Sequence, residues 1–304
     1  MGNKDEDEYT FYIEDYNRRL ITMKIMVTGS SGLVGKCLVK KLQELRDDVV
    51  EIDRNYGYDL TDRNCLDNFE KVDSIIHLAG RVFVLESYQD PFSYYYDNYV
   101  TTLNALEFAR KNQAKFIYLS SYVYGIPKYF PINEKHPLSA INPYARTKLI
   151  CEELCKGYNQ DFSQNIIILR PFNIYGPGQS GNFLIPKIIA GIKQGKLELM
   201  DPYPKRDFVY VDDVVNAIIK CLFYPRSFAI FNVGSGKSYS VKEIVDILKN
   251  ISGANADVTY SNKSRINEVN NVVCDYNSIL ENLDWRPQIN IEQGLYRTFF
   301  NIID

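Results

Sequence analysis

The chain's 304 residues, 45% of them hydrophobic, suffice to bury a large core as one big domain or two intimate ones. A formal net charge of −3 gives no basic field for a nucleic-acid backbone, so nucleic acid is excluded as an expected partner. No apolar run approaches the roughly 18 residues a membrane helix needs, and the N-terminus is acidic where a secretory signal would be basic then apolar, so a cytoplasmic protein with no membrane partner is expected.

Residues 1–22 read as a flexible extension with a disordered acidic lead, in which YTFYIEDYNRRL either forms a short surface helix or strand or has no fold role. MKIMVTGSSGLVGKCLVKKLQEL, beginning at Met23, predicts a short apolar strand (Lys24 to Thr28), a tight glycine turn, and an amphipathic helix burying Leu33, Val34, Cys37, Leu38 and Leu42. Gly29, Gly32 and Gly35 would let a pyrophosphate approach backbone amides at the helix N-terminus, where the dipole favours negative charge. Their spacing, G-x-x-G-x-x-G, is one residue longer than that of ordinary dinucleotide folds. A second strand, DVVEID, ends on Asp53, whose carboxylate can hold the adenosine ribose hydroxyls and repel a 2′-phosphate, favouring NAD over NADP. Arg54 follows and either pairs with such a phosphate, which keeps NADP open, or is a solvated surface charge.

Strand and helix patterns then alternate: VDSIIHLAG, YYDNYVTTLNALEFARKN, AKFIYLS, PYARTKLICEELCKGY, NIIILRP. Such alternation predicts an α/β, Rossmann-type doubly wound parallel sheet covered on both faces, with ligands at the carboxyl ends of the strands, where Gly80, Ser120 and Pro171 fall. SGNFLIPKIIAGIKQGKLEL breaks the pattern, RDFVYVDDVVNAIIKCL and FAIFNVG are expected to rejoin the sheet, and Ser240 to Asp304 should form a mostly helical cap. The expected division is a nucleotide-binding domain at 23–175, rejoined by about 208–235, and a substrate-binding cap from 176–207 and 236–304. Six cysteines without a C-x-x-C and two histidines do not make a zinc site, so no metal is expected.

Tyr144 and Lys148 are four residues apart and would share one face of a helix. Bringing a tyrosine from about 10 to about 7 takes roughly 4 kcal/mol, and one positive charge about 4 Å away supplies that much at an effective dielectric near 20. The spacing thus predicts a general acid/base working at neutral pH, with Ser120 as a hydroxyl at the neighbouring strand end.

At this point the chain resembles the extended short-chain dehydrogenases/reductases, the NAD-dependent epimerase/dehydratase family of nucleotide-sugar enzymes. The resemblance rests on TGSSGLVG, DLTD, IIHLAG, YLSSYVYG, NPYARTK, LRPFNIYGPGQ, RDFVYVDDV and FNVGSG, in that order from about Met23 to the C-terminus. It implies that Gly29, Gly32, Leu33, Val34 and Gly35 line the cofactor pyrophosphate, Asp53 the ribose, Asp59 and Leu60 the adenine, and Leu78, Ala79, Gly80 and Pro171 the rest of the cofactor. It makes Ser120, Tyr144 and Lys148 the catalytic set, with Tyr144 and Lys148 also on the nicotinamide ribose. Val84, Ser121, Asn173, Asn182, Phe183, Met200, Arg206 and Arg265 would meet a nucleotide-diphosphate sugar, the arginines forking onto the diphosphate. A homodimer through the two long helices, burying Leu103, Leu106, Leu149 and Leu154, is also implied.

Ser121 and Tyr122 stand where family dehydratases and decarboxylases carry acidic residues, which disfavours proton removal from carbon. Hydride transfer at the sugar C4 remains, as a 4-epimerase keeping its NAD or as a 4-keto-6-deoxy sugar reductase exchanging NADH or NADPH. HLAGRVFVLESYQDP is similar to a stretch of UDP-galactose 4-epimerases, while Arg54, Val82 and the glycine-poor MDPYPKRDF favour the reductase. The epimerase is the first reading; a cofactor-binding regulator without turnover is the remote one.

Overall fold

The computed structural model describes residues 22–302 except 262 and 264–267. Residues 1–21 of the expected extension, and Arg265, therefore lie outside the described residues.

Six parallel strands form the central sheet in the order β2-β1-β3-β4-β5-β9. They are β1 (Lys24–Thr28), β2 (Asp48–Ile52), β3 (Ser74–His77), β4 (Lys115–Leu119), β5 (Ile166–Pro171) and β9 (Phe228–Val233). Their apolar runs are buried on both faces, as a sheet sandwiched between helices requires. α1 (Leu33–Glu44) returns the chain to β2, whereas β3 lies on the other side of β1. Strand order therefore reverses at β1, and the crevice beyond its carboxyl end is where this architecture takes ligands.

The other face is covered by α2 (Val84–Gln89), α3 (Pro91–Asn112) and α4 (Pro143–Phe162). α3 is capped by Asp90 and α4 by Asn142, whose side chains accept from Ser93 N and Ala145 N, and each helix has proline in its first turn, where no amide is lost. Leu106 is buried in the protomer's own core and is not free for an interface, while Leu154 is half-buried against that core. The exposed face of the same helices carries Phe92, Tyr96, Ile150 and Phe162 instead.

One strand departs from the expected pattern. β8 (Lys205–Tyr210) does not rejoin the central sheet but pairs with β6 (Asn173–Tyr175) and β10 (Ser238–Ser240) in a separate three-stranded sheet. Its carboxylate Asp207 accepts from Ser235 N, Ser235 Oγ, Gly236 N and Cys274 N, which anchors that sheet to two loops. α6 (Val211–Leu222) and β9 do return to the main layer. The remainder contains α5 (Leu184–Lys193), α7 (Val241–Ser252), α8 (Asn277–Leu283) and α9 (Ile291–Phe300), with β7 (Lys196–Leu199) and β11 (Asp257–Tyr260) paired in parallel. Among the described residues no helix is long and apolar enough to cross a membrane, and no cluster of three His, Cys, Asp or Glu could hold a metal.

Candidate active site

Gly29 has φ +70°, and a Cβ there would lie 2.7 Å from Ala79 N. A side chain is thus excluded twice over, by conformation and by the close approach of the β3 end. Gly35 packs so tightly that an added Cβ would meet Gly29 O at 2.2 Å, which draws α1 against the turn. Ser30 in this turn is buried and its Oγ has no partner among the described residues. A buried hydroxyl without a partner is costly, so the turn suits a ligand that brings hydrogen-bond acceptors, as a dinucleotide pyrophosphate does.

Asp53 follows β2 and accepts from Ser31 N (3.1 Å) and Asn55 N (2.9 Å), which fixes its carboxylate beside the turn. Arg54 points elsewhere: its guanidinium pairs with Asp59 (3.1 Å) and Asp97 (3.2 Å), and Asp97 is shared with Arg81 (2.8 Å). Leu60 is buried; Leu78 and Ala79 are half-buried, and Gly80, exposed, backs onto Asn98. Asn98 accepts from Arg81 N and donates to Thr147 Oγ1, tying the end of β3 to α4. Sequence reading missed this asparagine, although it lies on the inner face of the long helix YYDNYVTTLNALEFARKN.

Tyr144 and Lys148 lie one turn apart on α4, as their spacing predicts. Lys148, however, does not reach for the phenol. Its Nζ donates to Leu119 O at 3.0 Å and sits 4.9 Å from the centre of the Tyr118 ring. Burial lowers its pKa to about 8, opposed by the neighbouring carboxylate of Glu152 among others. The Tyr144 phenol is raised above its ordinary value by burial, with a hydrogen bond to Ser121 pulling the other way. The expected depression of Tyr144 by Lys148 is thus not found here: the ammonium is held on the end of β4, and burial of the phenol dominates.

Ser120 turns inward and its Oγ donates to Glu152 Oε1 at 2.6 Å. Successive residues of an extended segment point to opposite sides, so only one of the two hydroxyls can face the phenol.

The cleft's remaining candidates lie on several elements. Val84 begins α2 and is partly exposed, and Phe83 beside it meets Phe183 edge-on at 5.7 Å. Asn173 donates to Asp207 O at 3.2 Å, Asn182 and Met200 are exposed, and Pro171 is buried at the end of β5. Arg206 is bound by Glu268, so its guanidinium already has an anionic partner.

A switch-point crevice with a glycine turn, a carboxylate after β2, and a serine, tyrosine and lysine around the end of β4 defines a nicotinamide-nucleotide enzyme of the short-chain dehydrogenase/reductase type. More narrowly, residues 25–234 match the NAD dependent epimerase/dehydratase family, and the chain belongs to it. The chain is 33% identical to the GDP-6-deoxy-D-mannose reductase of Pseudomonas aeruginosa, over 90% of this chain and 95% of that protein. It is 28% identical to the UDP-glucose 4-epimerase of Bacillus subtilis, over 89% and 94%. Among solved structures, the UDP-glucose 4-epimerase of Thermotoga maritima with UDP-glucose superposes with a TM-score of 0.87 at 27% identity, over 92% of this chain and 98% of that one. The family is one of nucleotide-sugar enzymes working with NAD or NADP, and both the epimerase and the reductase readings fit it.

Proposed function

We propose that this chain is a nucleotide-sugar 4-epimerase using NAD. The carrying observation is the pair of charges after β2. Asp53 stays at the glycine turn, while Arg54, the cation next in sequence, is neutralised by Asp59 and Asp97. That arrangement supports NAD, the cofactor an epimerase retains, over the NADPH a reductase exchanges. The reductase reading is favoured by the relative from Pseudomonas aeruginosa, by Val82 and by MDPYPKRDF, and it stands second.

The glycine turn, Ser30, Asp53, Leu60 and the Leu78 to Gly80 segment would hold the cofactor. When bound, a nicotinamide provides a place for the C4 hydride and, in its oxidised form, a positive charge that favours an ionised phenol nearby. Tyr144 takes the proton of the C4 hydroxyl and returns it after the keto sugar has presented its other face. Ser120, at the end of β4, orients the reacting hydroxyl, for which its Oγ must turn from Glu152. Lys148, held on Leu119 O, contributes its charge from one turn below. Asn173, Arg206 and the cap side chains Asn182, Phe183, Met200 and Arg265 would receive the nucleotide diphosphate, for which Arg206 must leave Glu268. Purified protein given UDP-galactose or UDP-N-acetylgalactosamine without added cofactor should form the 4-epimer; consumption of a 4-keto sugar nucleotide only with added NAD(P)H would instead establish the reductase.

A further inference from the structure

Asp97 stands on the inner face of α3, its side chain 12% exposed, and a single carboxylate oxygen holds two arginines that come from different strand ends. Oδ2 accepts from Arg54 Nη1 at 3.2 Å and from Arg81 Nε at 2.8 Å. Arg54 lies just beyond β2, one residue after the carboxylate of Asp53, and Arg81 lies beyond β3. Each arginine also has a second acid, Asp59 at 3.1 Å for Arg54 and Glu86 at 3.3 Å for Arg81, and both of these acids are about half-exposed.

Burial decides which acid governs the arginines. Exposed ion pairs contribute little and are screened by salt, whereas the shielded Asp97 is screened less. The helix that carries it is also fixed in place. Asn98, the next residue, accepts from Arg81 N at 2.7 Å and donates to Arg81 O at 3.2 Å, and Asn104, further along, donates to Leu60 O at 2.8 Å. Asp97 therefore cannot follow an arginine that swings outward. Arg54 is half-exposed, so its guanidinium is placed by its acids more than by packing. Both of its terminal nitrogens are engaged, Nη2 by Asp59 and Nη1 by Asp97. Those two nitrogens are the fork with which an arginine takes a phosphate, and an arginine near the ribose is how this architecture accepts a 2′-phosphate.

We propose that Asp97 is a positioning residue for cofactor selection: by holding the Arg54 guanidinium against α3, it withholds from the adenosine end of the site the cation that would accept a 2′-phosphate. This rests on the nicotinamide-nucleotide reading above but not on the choice between epimerase and reductase. Asp53 and Asp97 then disfavour NADP by different routes. Asp53 repels the phosphate with its own charge, whereas Asp97 acts through Arg54, so its effect disappears once Arg54 is removed.

The test is a competition that needs no turnover: full-length protein is brought to equilibrium with an equimolar excess of NAD and NADP, and the bound cofactors are counted by mass spectrometry after denaturation. Asp97→Asn, which removes the charge and keeps the shape, should raise the bound NADP to NAD ratio about tenfold, the scale of one hydrogen bond between charged groups. Asp59→Asn, at the exposed partner, should raise it less. Asp97→Asn combined with Arg54→Ala should return the ratio to that of Arg54→Ala alone. If Asp97→Asn fails to fold because Arg81 loses its buried partner, Asp97→Asn with Arg81→Met puts the same question to Arg54. A wild-type ratio in folded Asp97→Asn protein, or a rise that survives Arg54→Ala, would overturn the proposal. A wild type that already takes mostly NADP would refute the NAD preference alone, since the response to Asp97→Asn still reports on Arg54. Protein that takes up neither cofactor would refute the nicotinamide reading and this inference with it.

Discussion

Lys148 Nζ donates to the carbonyl of Leu119 at 3.0 Å, so the lysine of the acid/base pair is a strap between α4 and the end of β4. Burial holds its pKa near 8 where an exposed lysine titrates at 10.5. A charge-assisted strap weakens when the ammonium loses its proton, so turnover should fall as pH rises through about 8. The stability effect has the opposite trend: between 8 and 10.5 the unfolded chain holds a proton that the folded chain has lost, so Lys148's contribution to stability rises with pH across that window. A rate profile flat to pH 10 would contradict the first part, and denaturant midpoints that fail to respond to Lys148→Met between pH 7 and 10 the second.

Tyr144→Phe should leave the fold and NAD binding intact and lower turnover at least about a hundredfold, the usual loss for a positioned acid/base. Removing one oxygen from a half-buried side chain leaves the packing of α4 intact, so the melting temperature should hardly change. Turnover at the wild-type level would remove Tyr144 from the chemistry.

How far the sequence revealed this site depends on what periodicity records. The strand, glycine turn and helix from Lys24 to Glu44, and the helix from Pro143, follow from apolar spacing and are found where expected. Choosing between Ser120 and Ser121 needs the phase at which β4 ends, and two adjacent serines leave that phase unmarked. β8 was misplaced because a buried strand reads alike in either of two adjoining sheets. Glu152 was overlooked as one more helix charge. Arg170, standing in the otherwise apolar IIILRP, was the available signal, since a buried arginine requires an anionic partner.

The cofactor preference can be separated into two side chains. Asp53→Asn should weaken NAD and narrow its preference over NADP, because the repulsion of a 2′-phosphate goes with the charge. Arg54→Ala should change the ratio little, since Asp59 and Asp97 already hold that guanidinium. Dissociation constants for both cofactors decide this: an Asp53→Asn ratio equal to that of the wild type contradicts the ribose role.

A homodimer through α3 and α4 would cover an aromatic face. Phe92 is 76% exposed and stacks on Tyr96, with Ile150 and Phe162 on the adjacent helix. Two antiparallel copies of the pair would make a four-helix bundle. Light scattering should give twice the chain mass at micromolar concentration, and Phe92→Asp with Ile150→Asp should return it to the monomer value. A monomeric wild type would rule the bundle out.

The fate of the hydride separates the two leading activities. An epimerase must keep the keto sugar and the reduced cofactor together through a half-turn of the sugar, so its NAD should survive gel filtration and appear by mass spectrometry when the protein is denatured. A reductase must release cofactor in every cycle and should come through the column empty. Asp53 fixed at the glycine turn and Arg54 neutralised by Asp59 and Asp97 lead us to expect retained NAD and cofactor-free epimerisation. An empty site, no epimerisation of any UDP-sugar pair, and stoichiometric oxidation of NADPH by a 4-keto-6-deoxy sugar nucleotide would together reverse the assignment.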